Sequence, residues 1–352
     1  MVLVQVASYG GMTMKRRFFN EALTGWMEGT GSDSDIVISS RLRIARNLDG
    51  YPFPVLATNS QAAEVRSRLE AVNRSGALDS FGPFHMLQMG DLQELQKKVL
   101  VEKHLISPSL ANESPNGAVL INESESVSIM INEEDHIRIQ VLTPGFEVRQ
   151  AWEMANRIDD VLEQNMEYAF DEKRGYLTSC PTNVGTGIRS SVMIHLPALV
   201  MTQQINHILQ AIQQVGLAVR GLYGEGSEAT GNLFQISNQI TLGQSEDEII
   251  DNLYGVVKQI IEHERNARKT LLGESRHRLE DRICRSYGIL TNAVIIDSKE
   301  TAGRLSDVRL GAELGIIKDV SRETLNELLV MTQPGFLQQH AGQILSPDQR
   351  DI

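Results

Sequence analysis

The segment Tyr176-Leu-Thr-Ser-Cys-Pro-Thr-Asn-Val-Gly-Thr-Gly-Ile-Arg-Ser-Ser-Val-Met-Ile-His-Leu-Pro197 contains two extended apolar runs that meet at a tight turn. Cys180 stands where the first run gives way to the turn. Gly185 and Gly187 permit positive φ or close backbone approach, so amide and hydroxyl donors can converge there. Together with Arg189, these groups indicate a site for an anionic or guanidino ligand. A polar β-hairpin with a buried structural cysteine is an equally good interpretation of this segment alone.

The composition of the 352-residue chain is that of a soluble globular protein, with 41% hydrophobic and 22% charged residues. This length allows one large domain or two ordinary ones. A net charge of −12 argues against a general nucleic-acid or anionic-membrane binder. No apolar run approaches the roughly 20 residues of a spanning helix. The two cysteines, Cys180 and Cys284, have no CxxC spacing or export signal, which predicts reduced thiols in the cytoplasm.

Apolar spacing along the chain predicts an α+β fold, with an antiparallel sheet packed by helices and a helical C-terminal third. Besides the segment Tyr176–Pro197, strands are predicted at residues 35–47, 118–121, 127–132, 136–142, 217–222 and 232–242. Helices are predicted at residues 18–30, 60–75, 90–105, 147–169, 198–215 and from Ser245 onward, with breaks at Gly288, Gly303 and Gly315. The tail from Gln333 is expected to be irregular.

Arginines fall on four of the predicted strands. They are Arg41, Arg43, Arg138, Arg189 and Arg220. Strand alternation places Arg41 and Arg43 on one face. Such residues are usually solvated or paired with acids, but in a cleft their planar forks match phosphate oxygens. So many arginines on an acidic protein suit a polyphosphate ligand.

Two carboxylates stand at strand–loop junctions. Glu134 lies in the turn Glu133-Glu-Asp135, and Glu225 lies in the loop Tyr223–Gly231. This loop lacks Gly-Lys-Ser/Thr and precedes a strand, so it is neither a Walker nor a Rossmann loop. Each acid could be ordinary surface charge. Together they could hold a guanidinium, which becomes nucleophilic only when it is positioned and loses a proton.

These residues lie in motifs that resemble the phosphagen (guanidino) kinase superfamily. The motifs are Ser39-Ser-Arg-Leu-Arg43, Asn132-Glu-Glu-Asp-His-Ile-Arg138, Cys180-Pro-Thr-Asn183 with Gly185-Thr186, and Arg189. The chain most resembles the bacterial protein-arginine kinases (McsB-type), and the resemblance runs from about Asp35 to the C-terminus. The closer match rests on Arg220-Gly-Leu-Tyr-Gly-Glu225, Gln235-Ile-Ser-Asn-Gln-Ile-Thr-Leu-Gly243, Ser306-Asp-Val-Arg-Leu-Gly311 and Gln333-Pro-Gly-Phe-Leu-Gln-Gln339.

The resemblance implies ATP as phosphate donor, Mg²⁺ bridging its phosphates, and a glutamine-synthetase-like catalytic domain with no metal ligands among its side chains. Glu134 and Glu225 would hold the target guanidinium, one of them as base. Cys180 would lie beside it as a thiolate, its pKa lowered by positive charge. The implied ATP-binding residues are Ser39, Ser40, Arg41, Leu42, Arg43, His104, Arg138, Arg189, Ser190, Ser191, Val192, Met193, Arg220, Gly221, Leu222, Tyr223 and Gly224.

Three regions are expected: residues 1–20 as an extension that need not be native, 21–265 as the catalytic domain, and 266–352 as a helical dimerisation and regulatory domain. Only 38 residues precede Ser39, too few for the domain that closes over small substrates in related kinases. Met193 stands where those enzymes carry a histidine. Both departures favour an arginine presented on a protein surface. The family's phosphoarginine-binding motif would begin at Arg350 and Asp351, so the resemblance implies a regulatory site at these residues.

The activity implied by the resemblance is ATP-dependent phosphorylation of arginine side chains in proteins. It also implies a role in stress response and protein quality control, with a heat-shock repressor, a zinc-binding adaptor and a Clp ATPase as partners, and a homodimer. A kinase for free arginine or another small guanidino compound is the alternative enzyme. An inactive phosphoarginine-binding scaffold is the alternative from another class.

Overall fold

A computed structural model describes residues 17–114, 116–221 and 229–351. The strands are β1 Val37–Arg46, β2 Phe84–Gln88, β3 Ala118–Asn122, β4 Val127–Ile131, β5 Ile137–Pro144, β6 Phe170–Asp171, β7 Gly175–Tyr176, β8 Ile188–His195, β9 Leu217–Gly221 and β10 Leu233–Asn238. The helices are α1 Asn59–Arg74, α2 Glu94–Glu102, α3 Pro108–Glu113, α4 Val148–Glu163, α5 Pro197–Met201, α6 Ile205–Gln214, α7 Glu246–Glu274, α8 Arg276–Asn292, α9 Ser298–Glu313, α10 Arg322–Met331, α11 Pro334–Ala341 and α12 Pro347–Arg350.

Eight strands form one antiparallel sheet in the order β2-β3-β4-β5-β1-β8-β10-β9. The central strand β1 pairs with β5 on one side and β8 on the other. Its register with β8 places Arg43 opposite Arg189 and Arg41 opposite Ser191. The fold class predicted from the sequence is thereby confirmed: an antiparallel sheet, packing helices and a helical C-terminal region.

One face of this sheet carries the main hydrophobic core. Leu42 and Ile44 of β1 point into it, together with Ile139 of β5 and Val192 of β8. Helix α4 packs on β5 and β1, and α7 packs on β8. Because side chains alternate across a strand, the residues between these apolar positions face the other side of the sheet.

The opposite face is only partly covered, by two smaller clusters. One joins Phe18 and Phe19 to β2, β3 and the end of α2. The other joins Trp26 and Met27 to Leu329, Val330 and Phe336 near the C-terminus. An open cleft remains on this face, over the arginine-bearing ends of β1, β5, β8 and β9.

The N-terminal helix predicted at residues 18–30 is wrong. Residues 17–20 are helical, and the chain then runs without a helix to a 3-10 turn at Gly25–Met27. The amide of Gly25 donates to the Ser124 carbonyl at 3.3 Å, and Trp26 is buried with its indole donating to the Lys103 carbonyl. These long-range contacts outweigh the local helical spacing.

Two predictions about the C-terminal third are also wrong. Gly288 and Gly303 lie within α8 and α9, because a glycine costs a helix interior only about 1 kcal/mol relative to alanine. The tail is not irregular, since α11 and α12 form there. Pro334 and Pro347 each occupy the first turn of a helix, where proline is favoured.

The segment Tyr176–Pro197 differs from its prediction in its first half. Its second run is strand β8, but only Tyr176 of the first run belongs to a strand, the short β7. Strand β8 pairs with β1 and β10, so the hairpin interpretation is wrong. Strand β2 and helix α3 were not predicted. The described helices include none that is both long and apolar enough to cross a bilayer.

Candidate active site

The cleft on the open face has a volume of about 500 Å³. All of the predicted strand arginines line it: Arg41 and Arg43 from β1, Arg138 from β5, Arg189 from β8 and Arg220 from β9. The other lining residues are Ala45, Pro108, Glu134, Cys180, Thr182, Asn183, Gly187, Gln235 and Ser237. The sheet thus brings together arginines that are up to 179 positions apart in the chain, from Arg41 to Arg220.

Like charges face each other in this cleft. Arg43 lies directly opposite Arg189 across the β1–β8 pair, an arrangement that destabilises a sheet. None of Arg41, Arg43 and Arg189 forms an ion pair with any residue that the structure describes. The Nε atoms of Arg43 and Arg189 are buried without a hydrogen-bond partner. The arrangement leaves positive charge and donors available to an anion.

Burial and mutual repulsion act on the same groups. Burial lowers the pKa of Arg41 to about 10, and Arg189 and Arg138 add to this effect. Burial and the neighbouring arginines also lower the pKa of Arg43 and of Arg189. Both causes oppose the charged form, so a bound polyanion would relieve them.

Arg138 differs from the other arginines because two acids hold it. Its Nη1 lies 2.6 Å from the buried Glu133 carboxylate, and its Nη2 lies 2.9 Å from that of Glu134. Glu133 also accepts a hydrogen bond from Ser107. Glu134 is half exposed and lines the cleft, whereas Glu133 anchors Arg138 from behind. Glu133 was not predicted as a site residue, although it is adjacent to Glu134, which was.

Cys180 is joined to the same acidic turn. The Ser179 amide donates to the buried Asp135 carboxylate at 2.7 Å, and the Ser179 hydroxyl donates to the Glu134 carbonyl at 2.6 Å. Cys180 then caps a 3-10 turn, with its Sγ 3.0 Å from the Thr182 hydroxyl. These bonds bring Glu134 and Cys180 to the same end of the cleft.

Arg46 supports the cleft from the helix-covered side of the sheet. Its guanidinium pairs with Asp159 of α4 at 2.7 Å, donates to the Thr186 carbonyl at 2.8 Å and lies 3.4 Å from the Tyr176 ring centroid. Arg46 was not predicted as a site residue. The available signal was its position three residues after Arg43, on the strand face that otherwise carries Leu42 and Ile44.

A second, small cavity of about 20 Å³ adjoins the cleft and shares Arg41 and Gln235 with it. His104 lines it with Trp26, their ring centroids 5.5 Å apart, and Met193 lies on the same wall. Burial lowers the pKa of His104 to about 3, with Arg41 adding to the effect, so the imidazole is neutral. Ser39 and Ser191 complete the predicted residues here, and Trp26 was missed.

Not every residue in the predicted ATP-binding set lines these cavities. Leu42 and Val192 belong to the main core, and Ser40 donates to the Gly145 carbonyl at 2.9 Å. The Ser190 amide donates to Asn238. These four side chains are buried away from the cleft, because alternate residues of a strand face opposite sides.

Several predicted residues fall elsewhere. Gly221 ends β9, and residues 222–225, which include Leu222, Tyr223, Gly224 and Glu225, lie outside the described residues. Arg350 ends α12, and the carbonyl of Asp351 accepts from the Ile296 amide at 2.8 Å. Neither terminal residue lines the cleft, and their regulatory role stays a prediction.

Comparison with known families gives two matches that together cover most of the chain. The model described as "ATP:guanido phosphotransferase, C-terminal catalytic domain" matches residues 65–267. The model described as "Protein-arginine kinase McsB C-terminal domain" matches residues 276–352. The predicted boundary at residue 265 falls within the continuous helix α7, and the division into domains stays a prediction.

Curated relatives match at high identity. The protein-arginine kinase of Brevibacillus brevis (strain 47 / JCM 6285 / NBRC 100599) is 65% identical over 96% of this chain and 94% of its own length. That of Bacillus subtilis (strain 168) is 56% identical over 96% of this chain and 93% of its own length.

Solved structures share the architecture. A lombricine kinase is 26% identical, with a TM-score of 0.58 over 69% of each chain. The duplicated taurocyamine kinase of Schistosoma mansoni, with bound transition-state-analogue components, is 21% identical. It has a TM-score of 0.60 over 70% of this chain and 36% of that chain, and it supports the fold alone.

Proposed function

This chain belongs to the protein-arginine kinases, a family of ATP:guanido phosphotransferases, and we propose that it transfers the γ-phosphoryl group of ATP to arginine side chains of proteins. One observation carries the proposal: a single cleft combines unpaired arginines with a carboxylate and a thiol at one end. The arginines suit a triphosphate, and the carboxylate suits a guanidinium.

Phosphate binding falls to the arginines of β1, β8 and β9. They are held on rigid strands, so donors and positive charge are in place before the nucleotide arrives, and little reorganisation is needed during transfer. The neighbouring cavity between Trp26, His104 and Met193 offers an apolar contact for the nucleoside end of ATP.

The described residues fit a Mg²⁺ ion that enters with the nucleotide. Glu134 is the one described carboxylate that lines the cleft, and no group of three or more potential ligands occurs among the described residues. Mg²⁺ is commonly held by substrate phosphates, water and one or two carboxylates. When bound with the nucleotide, it would supply positive charge that neutralises the phosphates.

Glu134 is the described group best placed to hold the target guanidinium. It already pairs with one guanidinium, that of Arg138, and Glu133 would retain Arg138 if Glu134 turned toward a substrate. The attacking nitrogen forms the N–P bond while the bond from the γ-phosphorus to the bridging oxygen breaks. ADP leaves with that electron pair, and the nitrogen's proton passes to Glu134 or to Glu225. Cys180, joined to the same turn, would orient the guanidinium.

The direct test is incubation of the protein with magnesium ATP and an arginine-rich protein. We expect an acid-labile phosphoramidate on arginine, and a loss of at least about 100-fold in kcat for Glu134→Gln and Cys180→Ala. Cys284→Ala is the matched control, because this exposed cysteine lies on α8 outside the cleft. Phosphate on serine, or transfer to free arginine alone, would overturn the proposal.

The family also motivates a proposal about the cellular role. Arginine phosphorylation would mark proteins for a Clp-type protease and inactivate a heat-shock repressor in the cytoplasm, with a zinc-binding adaptor as activator and a homodimer as the working form. Family membership alone supports these points. Co-purification of the protein with a Clp ATPase, dependent on arginine phosphorylation of the cargo, is the corresponding measurement.

A further inference from the structure

A second depression of about 310 Å³ lies beside the active-site cleft, on the other side of the acidic turn. We call it the lateral groove. The residues that matter here are Val55, Asn59, Glu113, Asn116, Asn132 and Glu134. Glu134 lines both the groove and the cleft. Helix α3 also contributes to both, with Pro108 in the cleft and Glu113 in the groove. The groove is therefore continuous with the place where a target guanidinium would sit.

The charge of the groove is negative. Glu113 and Glu134 line it along with the buried Glu133, and none of its described lining residues is a lysine or arginine. Glu113 is exposed and fixed by a 3.0 Å hydrogen bond from the Ser109 hydroxyl. The cleft, in contrast, is lined by arginines. A polypeptide with basic residues would be repelled by the cleft and attracted by the groove.

Apolar and polar contacts are also available in the groove. Val55 lines the groove and is 81% exposed, so an apolar side chain stands there without covering residues. Asn132 is buried in the groove's lining. Its Nδ2 donates to the Ala62 carbonyl at 2.8 Å and the Asn116 carbonyl at 3.3 Å, and its Oδ1 has no partner among the described residues.

We propose that the lateral groove binds the polypeptide on one side of the target arginine and favours basic and apolar residues there. The inference rests on the proposed function. Because Glu134 lines both the groove and the cleft, the recognised positions lie close to the target arginine in the sequence of the substrate. Glu113 would attract a lysine or arginine side chain, and Val55 would contact an apolar one.

The test compares two peptides with one arginine each. One carries lysines and a leucine around the arginine, and in the other glutamates replace the lysines. Exposed ion pairs are weak, so we expect kcat/KM to be only about three to five times higher for the lysine peptide, mainly through KM. Glu113→Lys should reduce this ratio to one or below. Val55→Lys, which leaves α3 untouched, should shift it in the same direction.

Glu274→Lys is the matched control, because it makes the same change in net charge at the exposed end of α7. Its ratio should equal that of the wild type. An unchanged ratio in Glu113→Lys, or an equal change in Glu274→Lys, would overturn the inference and leave the kinase function intact. Equal kcat/KM values for the two peptides with the wild type would also overturn the inference and leave the kinase function intact. Phosphorylation of neither peptide would overturn the proposed function itself.

Discussion

The arginines of the cleft lower the stability of the folded protein and are available to bind a ligand. Arg43 and Arg189 face each other on neighbouring strands, and neither has a described carboxylate as a partner. A structural role would favour ion pairs of the kind that Arg46 makes with Asp159. Two facing arginines without carboxylate partners instead destabilise the folded protein, as residues of binding sites often do. A bound anion removes this destabilisation.

Arg43→Met should therefore separate stability from activity. The change removes one of two facing charges and keeps side-chain volume, so the free energy of unfolding should rise by about 0.5–1 kcal/mol. The kcat/KM for ATP should fall by about 100-fold or more, because a preorganised phosphate donor is lost. Urea unfolding and steady-state kinetics measure the two effects. Arg174→Met, at an exposed turn, is the control. A less stable but fully active Arg43→Met variant would contradict the prediction.

His104 should make folding sensitive to acid. Its pKa in the folded protein is about 3, against an ordinary value of 6.5, so the unfolded chain binds a proton that the folded protein does not. This contribution to stability is complete above pH 6.5 and is lost as the pH falls below it. From pH 7.5 to 5.5, the free energy of unfolding of the wild type should drop by about 1.4 kcal/mol relative to His104→Phe. If the difference in free energy of unfolding between the wild type and His104→Phe does not change with pH, His104 is protonated in the folded protein.

Strand β1 is the element on which the site depends. One face holds Arg41 and Arg43 in the cleft, and the other buries Leu42 and Ile44 in the core. At its end, Arg46 holds the loop before β8 through the Thr186 carbonyl. The register between β1 and β8, which sets where Arg189 lies, is thus fixed from behind the sheet as well as by the strand hydrogen bonds.

Gly187 should be intolerant of a side chain for this reason. Its φ is +69°, and an added Cβ would lie 2.6 Å from both the Ala45 carbonyl oxygen and Nη1 of Arg46. Gly243 has a similar φ of +80° with nothing within 4 Å, so Gly243→Ala should cost only about 1–2 kcal/mol. Gly187→Ala should cost at least about 2 kcal/mol more in urea unfolding and lower kcat. Equal costs at the two sites would mean that the loop can move away from β1 freely.

The C-terminal part of the chain covers part of the sheet face that carries the cleft. Phe336 and Leu329 pack against Trp26 and Met27, in the cluster that also contains Met193 of the small cavity. Glu102 at the end of α2 accepts the amides of Gly335 and Phe336 at 2.7 and 2.8 Å. The C-terminal helices therefore support the wall on which His104 lies.

Phe336→Ala should weaken both folding and nucleotide binding. Truncation of a buried phenylalanine costs about 3–5 kcal/mol, and loosening of the cluster around Met193 should raise the KM for ATP. Ile344→Ala is the control, because this residue is 86% exposed, and its effect should stay within about 0.5 kcal/mol. Thermal or urea unfolding and the KM for ATP are the measurements. An unchanged KM in a destabilised Phe336→Ala variant would show that the cluster does not reach the nucleotide.

The sequence alone determined the fold class, the arginine-bearing strands and the start of α7, which was predicted from Ser245 onward and is capped by that residue. These features depend on local spacing, because alternation sets strand faces and a cap needs residues only three apart. The same locality explains why the N-terminal helix was mispredicted, whereas the irregular tail was mispredicted because its prolines begin helices instead of breaking them. Long-range contacts of Trp26, and prolines that begin helices, decided those regions.

Only the tertiary structure decided which charged side chains lie next to each other. Sequence spacing placed Arg43 and Arg189 on strands, but the antiparallel register set them opposite each other. Likewise, Glu133 rather than Glu134 is the buried partner of Arg138, and Arg46 supports the site from behind. Most of these pairings join residues far apart in the chain, and even Glu133 and Arg138, five residues apart, are paired by burial and by the direction of each side chain. Burial, register and side-chain direction are fixed only after the sheet has formed.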